Sequence, residues 1–460
     1  MAHLPAEQIP KTRYVKTRDG VYLAYQVFGA GDTDLLYVPG WHSHLEVYWE
    51  QPSYARWMRH LGKKFRVITF DKRGTGLSQR TVRPPDLDAM MSDVGCVLDA
   101  ADAERPVLWG DGPDGGGPCA VFAASFPDHA LALIWWAARA RALDAPDYPW
   151  PEGTIAPEEE EALVEQHWGD EDFAVQFLRL VGCPSLADDP EGRRWITKFY
   201  RYAAAPSEAL TFSDVYAQID VRGVLETIHV PALVVQRPPW PGIDTLAEAR
   251  YIAARIPGAK VLERPSADWP PWLDDDPGIA AGVEQFIGSV QHEEAELDRM
   301  LATVLFTDIV GSTDRACEVG DACWKELLDK HNAAVRAFLA RYRGTEVKTT
   351  GDGFLATFDG PARAVKCAQA ICEAVKPLGL EVRAGCHTGE IELMGADVGG
   401  VAVHIGARVG ALAGPSEVLV SSTVKDLVAG SGLVFEDRGE HTLKGVPEPW
   451  HLYAALPSEA

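Results

Sequence analysis

The sequence has little cysteine, few basic residues and no long apolar run. Its 8 cysteines among 460 residues include no Cys-x-x-Cys pair, which is typical of reduced thiols, so we expect a cytoplasmic protein. With 43 Lys and Arg against 67 Asp and Glu, the formal charge of -24 argues against nucleic acid as a partner. No segment reaches the roughly 18 apolar residues of a membrane helix, and no apolar signal core follows Met1, so we expect no membrane span.

The length predicts at least two domains. From Val21 to about Ile287, short β-branched or aromatic runs alternate with helical patterns, which predicts an α/β domain with a parallel sheet. An acidic, tryptophan-rich helical stretch at about 143–222 interrupts this alternation, and we interpret it as an inserted cap. We therefore assign residues 1–287 to a first domain, 288–300 to a polar linker and 301–460 to a second domain. The strand candidates are residues 35–38, 67–70, 106–109 and 232–235.

The second half combines strands and helices in a different order. A strand is followed by a long helix at about 315–342, a hairpin, a helix at about 361–376 and another strand. This order approximates the βαββαβ arrangement of ferredoxin-like α+β folds.

Two aspartates stand at notable points of this second half. Asp308 follows the strand Val304-Leu305-Phe306 and precedes a helix, whose N-terminal amides form a natural cradle for polyphosphate. Asp352 occupies the tip of a hairpin in Gly351-Asp352-Gly353. A pair of divalent ions bridged by these two carboxylates would lower the pKa of a ribose hydroxyl and neutralise charge on a phosphate. Mg²⁺ and Mn²⁺ both prefer such oxygen ligands. Taken singly, Asp308 could instead cap its helix and Asp352 could belong to its turn.

Together the two segments resemble the class III adenylate and guanylate cyclases, whose signature is Phe-Thr-Asp-Ile-x-Gly-(Ser/Phe)-Thr followed by Lys-x-x-Gly-Asp. The similarity covers essentially all of residues 301–455. It implies two Mg²⁺ or Mn²⁺ ions per active site, held by Asp308, Asp352 and the backbone carbonyl of Ile309. The substrate-binding residues that it implies are Phe306, Gly311, Ser312, Thr313, Lys348, Asp397 and Lys444.

The resemblance also implies a substrate and an assembly. Lys348 and Asp397 match the pair that selects adenine, because a lysine can donate to the ring N1 and an aspartate can accept from the amine, so ATP is favoured over GTP. Arg408 matches the arginine that stabilises the transition state. His404 stands where the family usually has Asn, and a catalytic role and a structural role both remain open for it. The family further implies a homodimer through this domain, with each site shared between two chains.

The first half resembles the α/β-hydrolase superfamily, through Val38-Pro39-Gly40-Trp41 and the segment after Asp71. Hydrolysis in that fold needs a nucleophile on a strand-to-helix elbow, an acid and a histidine base. One alignment of the elbow places Asp114 at the nucleophile position, and a shift by one residue places Pro113 there. Trp269 stands at the position of the histidine base, and the acid loop 236–240 has no carboxylate.

We therefore interpret the first half as a pseudo-hydrolase that regulates or scaffolds an adenylate cyclase. Its tryptophans could line a pocket for a small apolar ligand, or could simply be packed in the core. The candidates for this pocket are Trp135, Trp136, Trp240, Trp269 and Trp272. The alternatives are a hydrolase with Asp114 as nucleophile, guanylate cyclase activity, or a nucleotide-binding scaffold with a weak or silent cyclase half.

Overall fold

A computed structural model describes residues 9–80, 84–150, 157–180, 183–236, 244–263, 268–273, 277–297, 299–349, 351–395, 397–446 and 448–457. The chain divides into two compact units, Met1–Val290 and Gln291–Ala460. Within the described ranges, no helix has both the length and the apolar character that crossing a bilayer requires.

The N-terminal unit is built on a mixed sheet. Its strand order is β1-β2-β4-β3-β5-β6-β7-β8. β2 pairs antiparallel with both β1 and β4, whereas β3 to β8 run parallel to one another. The strands are β1 (Thr12–Lys16), β2 (Tyr22–Phe28), β3 (Thr33–Val38), β4 (Phe65–Phe70), β5 (Val107–Asp111), β6 (Ala132–Trp136), β7 (Ala232–Val235) and β8 (Lys260–Leu262).

Helices cover both faces of this sheet, as the alternating apolar runs predict. Leu35 belongs to the core on one face and Leu36 to the core on the other, because successive side chains of a strand point to opposite faces. The helices are α1 (Leu45–Tyr48), α2 (Pro52–Leu61), α3 (Leu87–Ala100), α4 (Gly112–Ser125), α5 (Pro157–His167), α6 (Glu171–Leu180), α7 (Pro184–Asp188), α8 (Pro190–Ala203), α9 (Pro206–Ala217), α10 (Thr245–Ala253) and α11 (Pro277–Leu297).

The helices α5 to α9 form an insertion between β6 and β7, which we call the helical insertion (residues 157–217). Trp195 of this insertion donates its indole N–H to the backbone oxygen of Val47, at 3.0 Å. The backbone N–H of Ser185 donates to Asp268 Oδ1, at 3.1 Å. The insertion therefore lies against the segment after β3 and against the segment around Trp269, which are the two places where the fold would hold catalytic groups.

The C-terminal unit has the ferredoxin-like arrangement. In its sheet the order is β10-β11-β9-β12-β14-β16-β15, and β13 pairs with β12. The four strands that open this order are antiparallel neighbours, as in a βαββαβ fold. The strands are β9 (Arg299–Ile309), β10 (Thr345–Thr349), β11 (Phe354–Phe358), β12 (Val382–Met394), β13 (Asp397–Gly399), β14 (Val418–Ser421), β15 (Phe435–Thr442) and β16 (Pro449–Ala455).

Two predictions about this half need correction. The single helix expected at 315–342 is two helices that meet at Gly320, whose φ of 77° interrupts the helical backbone. The segment 288–300, predicted as a polar linker, does contain the boundary between the two units, but it is mostly helical, because α11 continues to Leu297 and β9 begins at Arg299. The helices of this unit are α12 (Ser312–Val319), α13 (Asp321–Tyr342), α14 (Pro361–Val375), α15 (Val401–Leu412) and α16 (Ser422–Leu427).

Candidate functional site

One predicted metal-binding aspartate lies near the end of a strand, and the other lies in the turn just before the neighbouring strand. Asp308 is the second-last residue of β9, and β11 pairs with β9 so that Phe354 lies opposite Thr307. Continuing this register by one residue places Gly353 opposite Asp308, and Asp352 follows in the β10–β11 turn. Adjacent strands are roughly 4.8 Å apart, so both carboxylates lie at the same end of the sheet. Both residues are partly exposed.

The turn after β9 leads directly into a helix. Gly311 adopts a left-handed conformation, with φ 64°, and α12 begins at Ser312. No side chain caps this helix, so the amides of its first turn, which include those of Ser312 and Thr313, are available to an anion. Phe306 lies on β9 two residues before Asp308, and its ring is close to α15. A Cβ added at Gly406 of that helix would be 3.3 Å from the Phe306 ring.

Arg383 is a site residue that the sequence reasoning missed. It lies on β12 directly opposite Asp308, and its Nε donates to Asp308 Oδ2 at 2.9 Å. The two side chains are 34% and 39% exposed, so solvent and ligands have access to the pair. The sequence did contain a signal for this residue, because Arg383 lies within residues 301–455, which resemble the class III cyclases. That resemblance assigned Arg383 no role.

The two predicted adenine-selecting residues form an ion pair across 49 positions of the chain. Lys348 Nζ lies 2.8 Å from Asp397 Oδ1 and 2.6 Å from Oδ2. The lysine hydrogen bond is the main reason that the pKa of Asp397 is lowered, and the N–H of Val398 adds to it. The pair therefore presents the ionised carboxylate of Asp397, an acceptor, beside the ammonium of Lys348, a donor. Both side chains are close to half exposed.

The remaining predicted residues of this unit are exposed. His404 and Arg408 lie four positions apart on α15 and so share one face of the helix. Lys444 lies in the loop between β15 and β16. Among the contacts of the described residues, no hydrogen bond or ion pair joins any of these three to Asp308 or Asp352. Within one chain, side-chain contacts join Asp308 to Arg383 and Lys348 to Asp397.

The elbow of the N-terminal unit has no side chain at its turn. The sharp turn between β5 and α4 lies at Gly112, which has φ 61°. A hydrolase of this fold carries its nucleophile at this strained turn. Neither Asp114 nor Pro113, the two positions suggested by the sequence, occupies it. Glycine reaches this conformation without steric cost, whereas Pro113 has φ fixed near −65° and starts the helix.

Asp114 instead belongs to a buried ion pair. Its carboxylate accepts from the ammonium of Lys72 and, at 2.7 Å, from the backbone N–H of Trp41. Burial raises the pKa of Asp114 and lowers the pKa of Lys72, while the attraction between the two opposes both shifts. The side chain of Asp114 is thus fully buried in an ion pair.

Trp269 lies over the elbow. A Cβ built on Gly112 would be 2.8 Å from Cζ2 of this tryptophan, and a Cβ built on Gly40 would be 3.2 Å from it. The ring therefore fills the space beside the missing nucleophile, and an indole cannot serve as a general base. The predicted acid loop keeps only Gln236 within the described residues, since 237–240 lie outside them.

Comparisons with known proteins agree with this division of the chain. Residues 298–455 match the family model of the adenylate and guanylate cyclase catalytic domain. Over 178 residues the chain is 30% identical to putative adenylate cyclase 3 of Rhizobium meliloti (strain 1021), a match that covers 35% of this chain and 29% of the relative. Over 120 residues it is 30% identical to the bifunctional esterase/perhydrolase DCH of Acinetobacter calcoaceticus, covering 26% of this chain and 41% of the relative.

A solved structure supports the fold of the N-terminal unit. The crystal structure of the esterase RhEst1 from Rhodococcus sp. ECU1013 aligns with 61% of this chain and 99% of its own, with a TM-score of 0.51 and 18% identity. This identity supports the fold alone. Residues 298–455 therefore belong to the adenylate and guanylate cyclase catalytic domain family, and the residues before them form a domain with the α/β-hydrolase fold.

Proposed function

We propose that the protein is an adenylate cyclase that converts ATP to 3′,5′-cyclic AMP and pyrophosphate at a site shared by two copies of the chain. The observation that carries this proposal is the placement of Asp308 and Asp352 at the same end of two adjacent strands, within a cyclase catalytic domain. The accessible Lys348–Asp397 pair supports ATP as the substrate.

The residues at the strand ends fit a magnesium or manganese site. Asp308, Asp352 and the backbone carbonyl of Ile309 supply hard oxygen ligands, which both ions prefer. The described residues contain no cluster of three or more His, Cys, Asp or Glu that would enclose a metal, which fits ions that take their remaining ligands from substrate phosphates and water. When bound, two such ions lower the pKa of the ribose 3′-hydroxyl and neutralise charge on the phosphates.

Arg383 is proposed to bind the triphosphate of the substrate. Its guanidinium neutralises Asp308 in the isolated chain and suits phosphate as well as carboxylate, because both offer two oxygens to its fork of donors. We propose that it turns toward the triphosphate when a cation takes its place beside Asp308. The uncapped first turn of α12 would receive another part of the triphosphate through its amides.

Lys348 and Asp397 would select the base. Lysine has three N–H donors and an ionised aspartate has about four acceptor positions, so both can engage adenine without separating. Adenine presents an acceptor at N1 and a donor at its amine, whereas guanine presents a donor at N1 and an acceptor at its carbonyl. With GTP, the Lys348 donor would meet the N1 donor of guanine and the Asp397 acceptor would meet its carbonyl acceptor, so neither hydrogen bond could form.

The resemblance to the class III cyclases supports a site shared between two chains. We propose that Arg408, His404 and the Lys348–Asp397 pair of one chain act on the triphosphate held by the carboxylates of its partner. Arg408 would stabilise the charge that builds on the reacting phosphate, and His404 would orient the ribose or phosphate by a hydrogen bond. Lys444 would contact the terminal phosphates.

Mixing inactive chains tests the proposal. Asp308→Ala and Lys348→Ala should each lack activity, and an equal mixture should recover about a quarter of the wild-type rate, because half of the dimers then contain one intact site of two. A mixture of Asp308→Ala with Asp352→Ala is the matched control, since both changes damage the same half of a site and no dimer contains an intact one. Product formation from ATP and from GTP, with manganese present, is the measurement.

No recovery in the first mixture, or equal recovery in both, would contradict the shared site. A preference for GTP in the wild type would show that the protein is a guanylate cyclase.

A further inference from the structure

A partly open cavity lies in the N-terminal unit between the elbow and the helical insertion. Its volume is about 80 Å³, which suits a small molecule. One wall comes from the sheet side and the 269–272 segment, and the other comes from the helical insertion. The lining residues used below are Trp41, His42, Asp111, Leu186, Trp195 and Trp269.

The lining differs from the one that the sequence suggested. Trp269 and Trp272 do line the cavity, but Trp135 and Trp136 are fully buried elsewhere and donate their indole N–H groups to the backbone oxygens of Gly112 and Trp269. Trp240 lies outside the described residues. Trp41 and Trp195 take their place as lining residues. The walls are therefore largely aromatic, which favours a flat apolar ligand.

Among the described residues that line the cavity, none is Lys or Arg. The ammonium of Lys72 nearby is bound to Asp114. Asp111 lines the cavity, but its carboxyl group accepts from Tyr37 Oη at 2.6 Å and from Trp109 Nε1 at 3.1 Å. Burial raises the pKa of Asp111 to about 7, so at pH 6 this carboxyl group is mostly protonated and carries little negative charge.

His42 is a polar lining residue of this cavity whose ring makes no hydrogen bond within the described part of the chain. It is 1% exposed and packs against the rings of Trp41, Trp168 and Phe212. Within the part of the chain that the structure describes, neither of its ring nitrogens has a hydrogen-bond partner, and the buried indole nitrogen of Trp41 also has none. Burial lowers the pKa of His42 to about 3, so the ring is neutral and offers one donor and one acceptor.

We propose that this cavity is a binding site for a small, uncharged, cyclic apolar molecule with a single hydroxyl group, which stacks on the tryptophans and hydrogen-bonds to His42. A buried polar atom without a partner is unfavourable, and a ligand hydroxyl would supply the partner. The molecule is bound and released unchanged, because Gly112 provides no nucleophile and Trp269 no base. The inference does not depend on the nucleotide chemistry of the C-terminal unit.

The test uses four probes of one shape and the full-length protein. The experiment is done at pH 6, where benzyl alcohol and toluene are neutral, benzoate is an anion and benzylammonium is a cation. Titration calorimetry should show saturable binding of benzyl alcohol, weaker binding of toluene, and binding of the two ions at least about tenfold weaker than benzyl alcohol, because a charge cannot be desolvated here. Equal binding of charged and neutral probes, or no saturable binding of either neutral probe, would overturn the proposal.

Two variants locate the site. Leu186→Trp fills the cavity from the helical insertion and should abolish binding of both neutral probes, whereas Leu143→Trp, at a leucine 46% exposed outside the cavity, should leave it unchanged. His42→Phe keeps an aromatic ring but removes the nitrogens, so benzyl alcohol should bind about 5–10-fold more weakly while toluene binds as before.

Circular dichroism of each variant establishes that it is folded. Binding that survives Leu186→Trp in the folded protein would refute the location. Unchanged affinity of folded His42→Phe for benzyl alcohol would refute the assigned hydrogen bond.

Discussion

The two units each contain a lysine–aspartate pair near the site that their fold provides, and the pairs differ in exposure. Lys72 and Asp114 of the N-terminal unit are 7% and 0% exposed, whereas Lys348 and Asp397 of the C-terminal unit are 47% and 44% exposed. A buried pair cannot lose a partner without leaving a charge in an apolar interior, but an exposed pair can exchange a partner for water or a ligand at little cost. The first arrangement stabilises a structure, and the second suits recognition.

Removing one partner of the buried pair should have the largest effect. Asp114→Ala leaves the Lys72 ammonium buried without its carboxylate, and we expect the N-terminal unit to lose about 3–5 kcal/mol of unfolding free energy. Urea unfolding followed by tryptophan fluorescence measures this, because most tryptophans lie in that unit.

The double variant Lys72→Met/Asp114→Leu serves as the control, since replacing both charges by apolar groups should recover most of the loss. If Asp114→Ala lowered the unfolding free energy by less than about 1 kcal/mol, the buried pair would contribute no more than a surface pair does. The proposed difference between the two pairs would then be wrong.

A second buried carboxyl group should make the stability of the N-terminal unit depend on pH. Burial raises the pKa of Asp111 from 3.8 to about 7 in the folded protein, so its contribution to stability is full below pH 3.8 and is lost as the pH rises toward 7. Asp111→Asn cannot titrate. Between pH 5 and 7 the wild type should therefore lose up to about 2 kcal/mol relative to this variant.

Unfolding free energies at pH 5, 6, 7 and 8 provide the measurement. Asp88→Asn, which changes an exposed carboxylate of the same unit, should follow the wild-type curve. Parallel curves for Asp111→Asn and the wild type would mean that Asp111 titrates as an exposed aspartate does.

Breaking the exposed pair should have the smallest effect on the fold and a selective effect on the reaction. Asp397→Ala removes the acceptor for the adenine amine, and we expect kcat/KM for ATP to fall about tenfold while thermal stability stays unchanged. Asp426→Ala, at another exposed aspartate bound to a lysine, is the matched control and should leave kcat/KM unchanged. A fall in melting temperature for Asp397→Ala would indicate that the pair stabilises the unit instead.

Much of the fold could be predicted from the sequence, because local patterns determine it. The four proposed strands of the first half lie within or largely overlap β3, β4, β5 and β7, and the hairpin around Asp352 is formed by β10 and β11. The exception was the segment 288–300, where Glu293, Glu294 and Glu296 suggested a polar linker. Glutamate is a good helix former, and these residues lie in the last turns of α11.

Pairings between distant residues could not be predicted in the same way. The contact between Arg383 and Asp308 depends on the register of β9 against β12, which no local pattern determines. The elbow was misplaced for a related reason. Several glycines lie between Gly110 and Gly117, and composition cannot indicate which of them adopts the positive φ of the turn. Lys348 and Asp397 were identified only because the segments around them resemble a known family.

The closeness of Trp269 to Gly112 also limits which side chains the turn between β5 and α4 can carry. Any side chain introduced at Gly112 would collide with the indole at its first carbon, so a serine placed there alone would disrupt the loop before it could react. Replacement of Trp269 by a smaller residue such as histidine would have to come first. Two changes would therefore have to occur in a fixed order, and the first removes a packed aromatic ring before the turn can accept a nucleophile.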